Sequence, residues 1–128
     1  MPGELITAVT LPPLPAGTRS HYLKVRDRES YEFALTSAAV AIQLVDGVIN
    51  SAHIALGGVA TKPWPAPEAE RMLVGNSPSA DLFAKASAAA LDGAEPLAQN
   101  AFKVALARRT LERALVTVTR DGIDMGEC

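Results

Sequence analysis

Apolar and polar positions alternate most clearly over residues 36 to 57. Two long runs, Thr36 to Val45 and Val48 to Gly57, are separated by Asp46-Gly47. Asp-Gly between alternating apolar runs signals a hairpin closed by a two-residue type I′ turn. That turn predicts Val45 opposite Val48 and Leu44 opposite Ile49. Continued without interruption, it puts Gln43 beside Asn50 and Val40 beside His53. One face then carries Ala38, Val40, Ile42, Leu44 and Ile49, and the other Ala39, Ala41, Val45, Val48 and Ile54. Both faces are mostly apolar near the middle, so helices or another layer are expected to cover much of the sheet.

Upstream, Glu4 to Leu11 (ELITAVTL) is β-branched and leucine-rich and is stopped by Pro12-Pro13. It reads as a short strand pairing with the hairpin. The proline-rich stretch from Leu11 to Gly17 is a rigid, extended connection. Arg19 to Glu32 is polar and charged, and reads as a loop or an irregular strand.

Downstream, the period changes from two to that of a helix. Gly57-Gly58 ends the second strand, and Pro67 suits the first turn of a helix running through Leu73. Glu68 and Glu70 lie near that helix's positive end, and Gly75 stops it. Ser77-Pro78 is expected to cap a second helix, Ser79 to Leu91, ended by Gly93. Asn100 is expected to cap a third, Ala101 to about Val118, with Val104, Ala107, Leu111, Ala114, Leu115 and Val118 on one face. Arg108, Arg109 and Arg113 lie off that stripe and read as a solvated face, or as a strip that meets phosphate or a partner's carboxylates. Strands followed by helices predict an α+β fold, an antiparallel sheet of three or four strands with three helices packed on one face. Residues 1–118 form the expected domain and 119–128 a flexible tail.

Composition narrows the function. The 128 residues support one core, and 48% of them are hydrophobic. A net charge of -2 argues against nucleic acid as a bulk partner. The one cysteine, Cys128, cannot form an internal disulfide or a metal-ligand pattern. A signal-peptide pattern and a bilayer-length apolar run are both missing, so a soluble cytoplasmic chain is expected, without a membrane partner.

The sequence contains no phosphate loop, dinucleotide fingerprint, zinc spacing or nucleophile elbow. His53 reads as a packed or edge histidine. The Tyr22-to-Arg28 cluster is the best site candidate. A lysine beside aromatic rings at the mouth of a sheet suits a planar, electron-rich or anionic ligand, although the same residues also suit a solvated loop. Lys62 and Trp64 are candidates for a second wall.

Taken together, GELITAVTLP, the aromatic-x-Lys segment Tyr22-Leu23-Lys24 with Arg26, the hairpin VDGVINSAHIALGGVATKPW, the helix APEAERMLVG and the segment NAFKVALARRTLERAL resemble one known domain. It is the C-terminal domain of the FAD-binding (medium) subunit of molybdenum hydroxylases, the xanthine dehydrogenase and carbon monoxide dehydrogenase superfamily, most like the aldehyde-oxidoreductase type. The resemblance runs from Gly3 to about Leu115. It implies a domain that covers part of FAD and contacts partner subunits while electrons pass from iron–sulfur clusters to the flavin. Molybdopterin and the iron–sulfur clusters belong to those partners.

Three cofactor-binding positions follow from the resemblance. Ile6 matches the first-strand position at the cofactor, Lys24 the lysine beside the flavin, and Phe33 (or its neighbours Tyr31 and Glu32) the position approaching the isoalloxazine. No catalytic residue and no metal ligand is implied. The family's Gly-rich FAD motif is missing from this sequence, so FAD is expected to be shared with an N-terminal FAD-binding domain, and the chain to be inactive alone. The alternative is a stand-alone interaction or dimerisation module, a homodimer formed through a sheet face or edge.

Overall fold

A computed structural model describes residues 2–120. It contains β1 (Thr18–Val25), β2 (Thr36–Val45), β3 (Val48–Gly57), β4 (Trp64–Pro65), α1 (Pro67–Leu73), α2 (Ala80–Ala89) and α3 (Phe102–Thr119). The strands form one antiparallel sheet in the order β1-β2-β3-β4. The expected α+β class and three helices are present.

The first strand is not the expected one. Residues 4 to 11 form no strand and are exposed, whereas Thr18–Val25, read as loop or irregular strand, is β1. Composition points to the first segment, but only β1 reaches a partner. A turn roots it, with Thr18 donating through both its amide and Oγ1 to the Pro15 carbonyl.

The hairpin turns as predicted. Asp46 and Gly47 have φ of 50° and 76°, the left-handed region that a type I′ turn requires. Val45↔Val48 and Leu44↔Ile49 pair as expected. Beyond them the register shifts between Gln43 and Leu44, so Gln43 pairs with Ser51, and Val40 with Ile54 instead of His53. Asn50 is left over and hydrogen-bonds through Nδ2 to Gln43 Oε1. With a side-chain period of two, one extra residue reverses the faces of the rest of the strand. Ile54 is therefore in the core, and His53 is exposed on the other side.

One face of the sheet packs against the helices. Ala38, Val40, Ile42, Ile49, Ala52, Ile54 and Leu56 are buried there with Leu73, Phe83, Ala86, Leu111, Ala114 and Leu115. α3 lies over β1 and β2, α1 lies against β3, and α2 packs on both helices. Among the described residues no second layer covers the opposite face, in keeping with helices packed on one face of the sheet. Alanines on that face are apolar without being bulky enough to require one.

α1 matches its prediction. α2 is capped by Ser79, whose Oγ accepts the Leu82 amide, in place of Ser77, and the helix stops at Ala89. Asn100 does not cap α3 with its side chain; its Oδ1 instead accepts the Leu97 amide in the preceding turn. Thr119, expected in the tail, closes α3. Arg120 offers its carbonyl to the Arg19 guanidinium. The rest of the expected tail, residues 121–128, lies outside the described residues.

Candidate functional site

Lys24 is exposed near the end of β1 and pairs with Ser37, which in turn pairs with Gly57. Paired residues share a face, so Lys24, Ser37 and Gly57 occupy one end of the uncovered side. Tyr22, Ala39, Ala55 and Pro65 form the next row, and Ser20, Ala41 and His53 the one after it. Between Tyr22, His53 and the edge at Glu70 lies an open trough of about 400 Å³, floored by Ala39, Ala41 and Ala55. A small-residue floor with an aromatic wall suits a flat apolar group or an extended chain, and Lys24 adds a positive charge at one end.

The same end of the sheet is held by two close contacts. Gly58 has φ of 74°, and a Cβ there would lie 2.8 Å from the Leu35 carbonyl oxygen and 3.0 Å from that of Ala34. Only glycine fits without a shift of backbone. The Gly57-Gly58 doublet, read in the sequence as a strand end, thus lets β3 leave the sheet against the entry to β2. Lys103 Nζ donates to the Gly58 carbonyl from the start of α3. Beneath the sheet, Thr36 and Thr110 hydrogen-bond through their hydroxyls at 2.9 Å, tying β2 to α3.

Phe33 lies in the loop between β1 and β2. It is 95% exposed, beside Tyr31 at φ 52°. Glu32 Oε2 accepts the Arg28 amide at 2.7 Å and closes the loop. The structure thus brings Lys24 and Phe33 to one end of the sheet. The arm carrying Ile6 enters β1 at the other end, where Gln43 Nε2 holds the Ala16 carbonyl. Ile6 itself is 85% exposed.

Trp64 does not form a second wall. It pairs with Leu56 on the helix side and donates Nε1–H to the Ala90 carbonyl, fastening β4 to α2. Lys62 is exposed in the loop before it. His21 is half-buried on the helix side, so the two histidines lie on opposite faces. Ala39 and Ala41 share a face in the sequence pattern, but Ala55 and His53 join them only through the bulge. The Asn50-Ser51 pair, polar at the point where alternation breaks, was the available signal.

The match with known proteins is specific. Residues 21–118 match the family model for the CO dehydrogenase flavoprotein C-terminal domain. The chain is 49% identical over 117 residues to the aldehyde oxidoreductase FAD-binding subunit PaoB of Escherichia coli K12, covering 90% of this chain and 33% of that protein. It is 36% identical over 122 residues to the carbon monoxide dehydrogenase medium chain of Afipia carboxidovorans, covering 88% of this chain and 42% of that one. Carbon monoxide dehydrogenase from Hydrogenophaga pseudoflava, solved in a form lacking the Mo-pyranopterin moiety, superposes with a TM-score of 0.77 at 28% identity, covering 84% of this chain and 39% of that one. The chain spans a third to two fifths of the length of these curated relatives. This chain belongs to the CO dehydrogenase flavoprotein C-terminal domain family.

Proposed function

We propose that this chain is the flavin-covering, subunit-contacting domain of the FAD-binding subunit of a molybdenum hydroxylase. Family membership supports the reading, together with one observation: the sheet face left bare by the helices is the one that carries Lys24. The residues fit part of a flavin wall. The alanine floor admits a flat ring, Tyr22 offers an aromatic side, and Lys24 a cation at the edge of the trough. Ile6 and Phe33 stand exposed on segments that flank the sheet, where a further domain can reach them. When bound, FAD supplies the electron-carrying chemistry. The chain's own part is to orient the ring, exclude water from one side, and hold a positive charge where negative charge develops.

The reading includes an iron–sulfur subunit and a molybdopterin subunit as partners, and the cytoplasm as compartment. No helix among the described residues is long and apolar enough to cross a membrane. The test is reconstitution with an N-terminal FAD-binding half from a homologous medium subunit. Addition of this chain should tighten flavin retention. Lys24→Ala should weaken it, or lower the flavin potential, with the fold unchanged by circular dichroism. Equal affinity and potential in the variant would remove Lys24 from the site.

A further inference from the structure

The two edges of the sheet are treated differently. Along β3 several outer backbone groups are taken up. Ile49 exchanges hydrogen bonds with the Asn76 carbonyl and the Gly75 amide, the Ile54 amide donates to Glu70 Oε1 at 2.7 Å, and β4 pairs with Ala55 and Leu56. The Ile54 bond also fixes which groups face outward on the other side. Since the Ile54 amide points away from β2, the β2–β3 bonds fall at Ala39/Ala55 and Ala41/His53. The β1–β2 bonds then fall at Val40/His21 and Ala38/Leu23. Ser20, Tyr22 and Lys24 are left with amides and carbonyls pointing off the sheet. Neither backbone nor side chain meets those outward groups among the described residues. An unpaired edge of this kind is a template for another strand.

The same chain carries a segment with strand chemistry and no sheet. Residues 5–11 alternate, with Leu5, Val9 and Leu11 on one side and Ile6, Ala8 and Thr10 on the other. Leu5, Ile6, Val9 and Leu11 are 85%, 85%, 78% and 83% exposed. Leu5, Val9 and Leu11 alone present on the order of 300 Å² of apolar surface on one side, comparable to the biggest patch of a typical monomer. The turn at Pro15–Thr18 and the Gln43–Ala16 bond hold the arm's exit, and residues 5–11 pair with no strand among the described residues.

We propose that the outer edge of β1 is a strand-addition site filled by residues 5–11 of a second copy of this chain, the two arms being exchanged. Two arms and the two edges they cover bury on the order of 2,000 Å², within the range of stable interfaces. The inference stands on the edge geometry and not on the flavin reading, so either can fail alone.

The test uses the 128-residue chain carrying Cys128→Ser, which removes disulfide-linked dimers. Sedimentation velocity should show a dimer at tens of micromolar. Amide exchange followed by NMR should be slowed about tenfold at Ser20, Tyr22 and Lys24 in the dimer relative to dilute protein, with no change at His21 and Leu23, which are already bonded to β2. Val9→Pro removes a donor from an arm that takes no part in the core. It should give a monomer with unchanged circular dichroism and restore fast exchange at the three residues. A monomeric parent chain, or a dimer that persists in Val9→Pro with its exchange pattern intact, would overturn the proposal.

Discussion

The buried hydroxyl pair that ties α3 beneath the Lys24 end of the sheet predicts an asymmetry. Thr36 and Thr110 are 0% and 3% exposed, and their Oγ1 atoms are 2.9 Å apart. Thr110 Oγ1 also donates to the Leu106 carbonyl at 2.8 Å. A hydroxyl has one proton, so Thr36 must be the donor to Thr110. Thr110→Val therefore strands the Thr36 O–H in the core with no acceptor, at a cost of about 1–3 kcal/mol. Thr36→Val leaves the Thr110 proton on Leu106 and removes only one accepted bond, at a cost of about 0.5–1.5 kcal/mol. The double valine variant removes both partners with similar volume, and should be no worse than Thr110→Val alone. Urea titrations of the four chains, analysed at a common m-value, give the cycle. Equal costs for the two single variants, or a double variant equal to their sum, would refute the donor assignment.

Gly58→Ala should cost more than about 2 kcal/mol, because positive φ is compounded by contact with two carbonyl oxygens. Gly75→Ala, at φ 85° with nothing near its Cβ, should cost about 1 kcal/mol. Paired thermal melts check the difference, and equal losses would mean that close packing at Gly58 is unimportant. Ser87 is fully buried, and its Oγ has no hydrogen-bond partner among the described residues. Ser87→Ala should leave stability unchanged or raise it by up to about 1 kcal/mol, and a clear loss in urea would show a partner for that hydroxyl.

The sequence by itself determined the hairpin turn, the two long strands, the three helices and their order. These are local matters: Asp46-Gly47 tolerates positive φ, Pro67 fits a first helical turn, and the α3 stripe repeats at helical spacing. The same local reading located Lys24 beside Tyr22. Strand composition pointed to residues 4–11 instead of Thr18–Val25. It misled because a strand is defined by its partner and that partner is distant in the chain. The bulge at Asn50 had only the polar Asn50-Ser51 pair to signal it. A two-residue turn predicts continuous register, and the extra residue is absorbed only because it puts Ile54 and Leu56 into the core with Ile49. Tertiary structure alone decided which sheet face the helices cover. That choice leaves Lys24, Tyr22 and His53 together on the bare side, and among the described residues the outer edge of β1 has no partner strand.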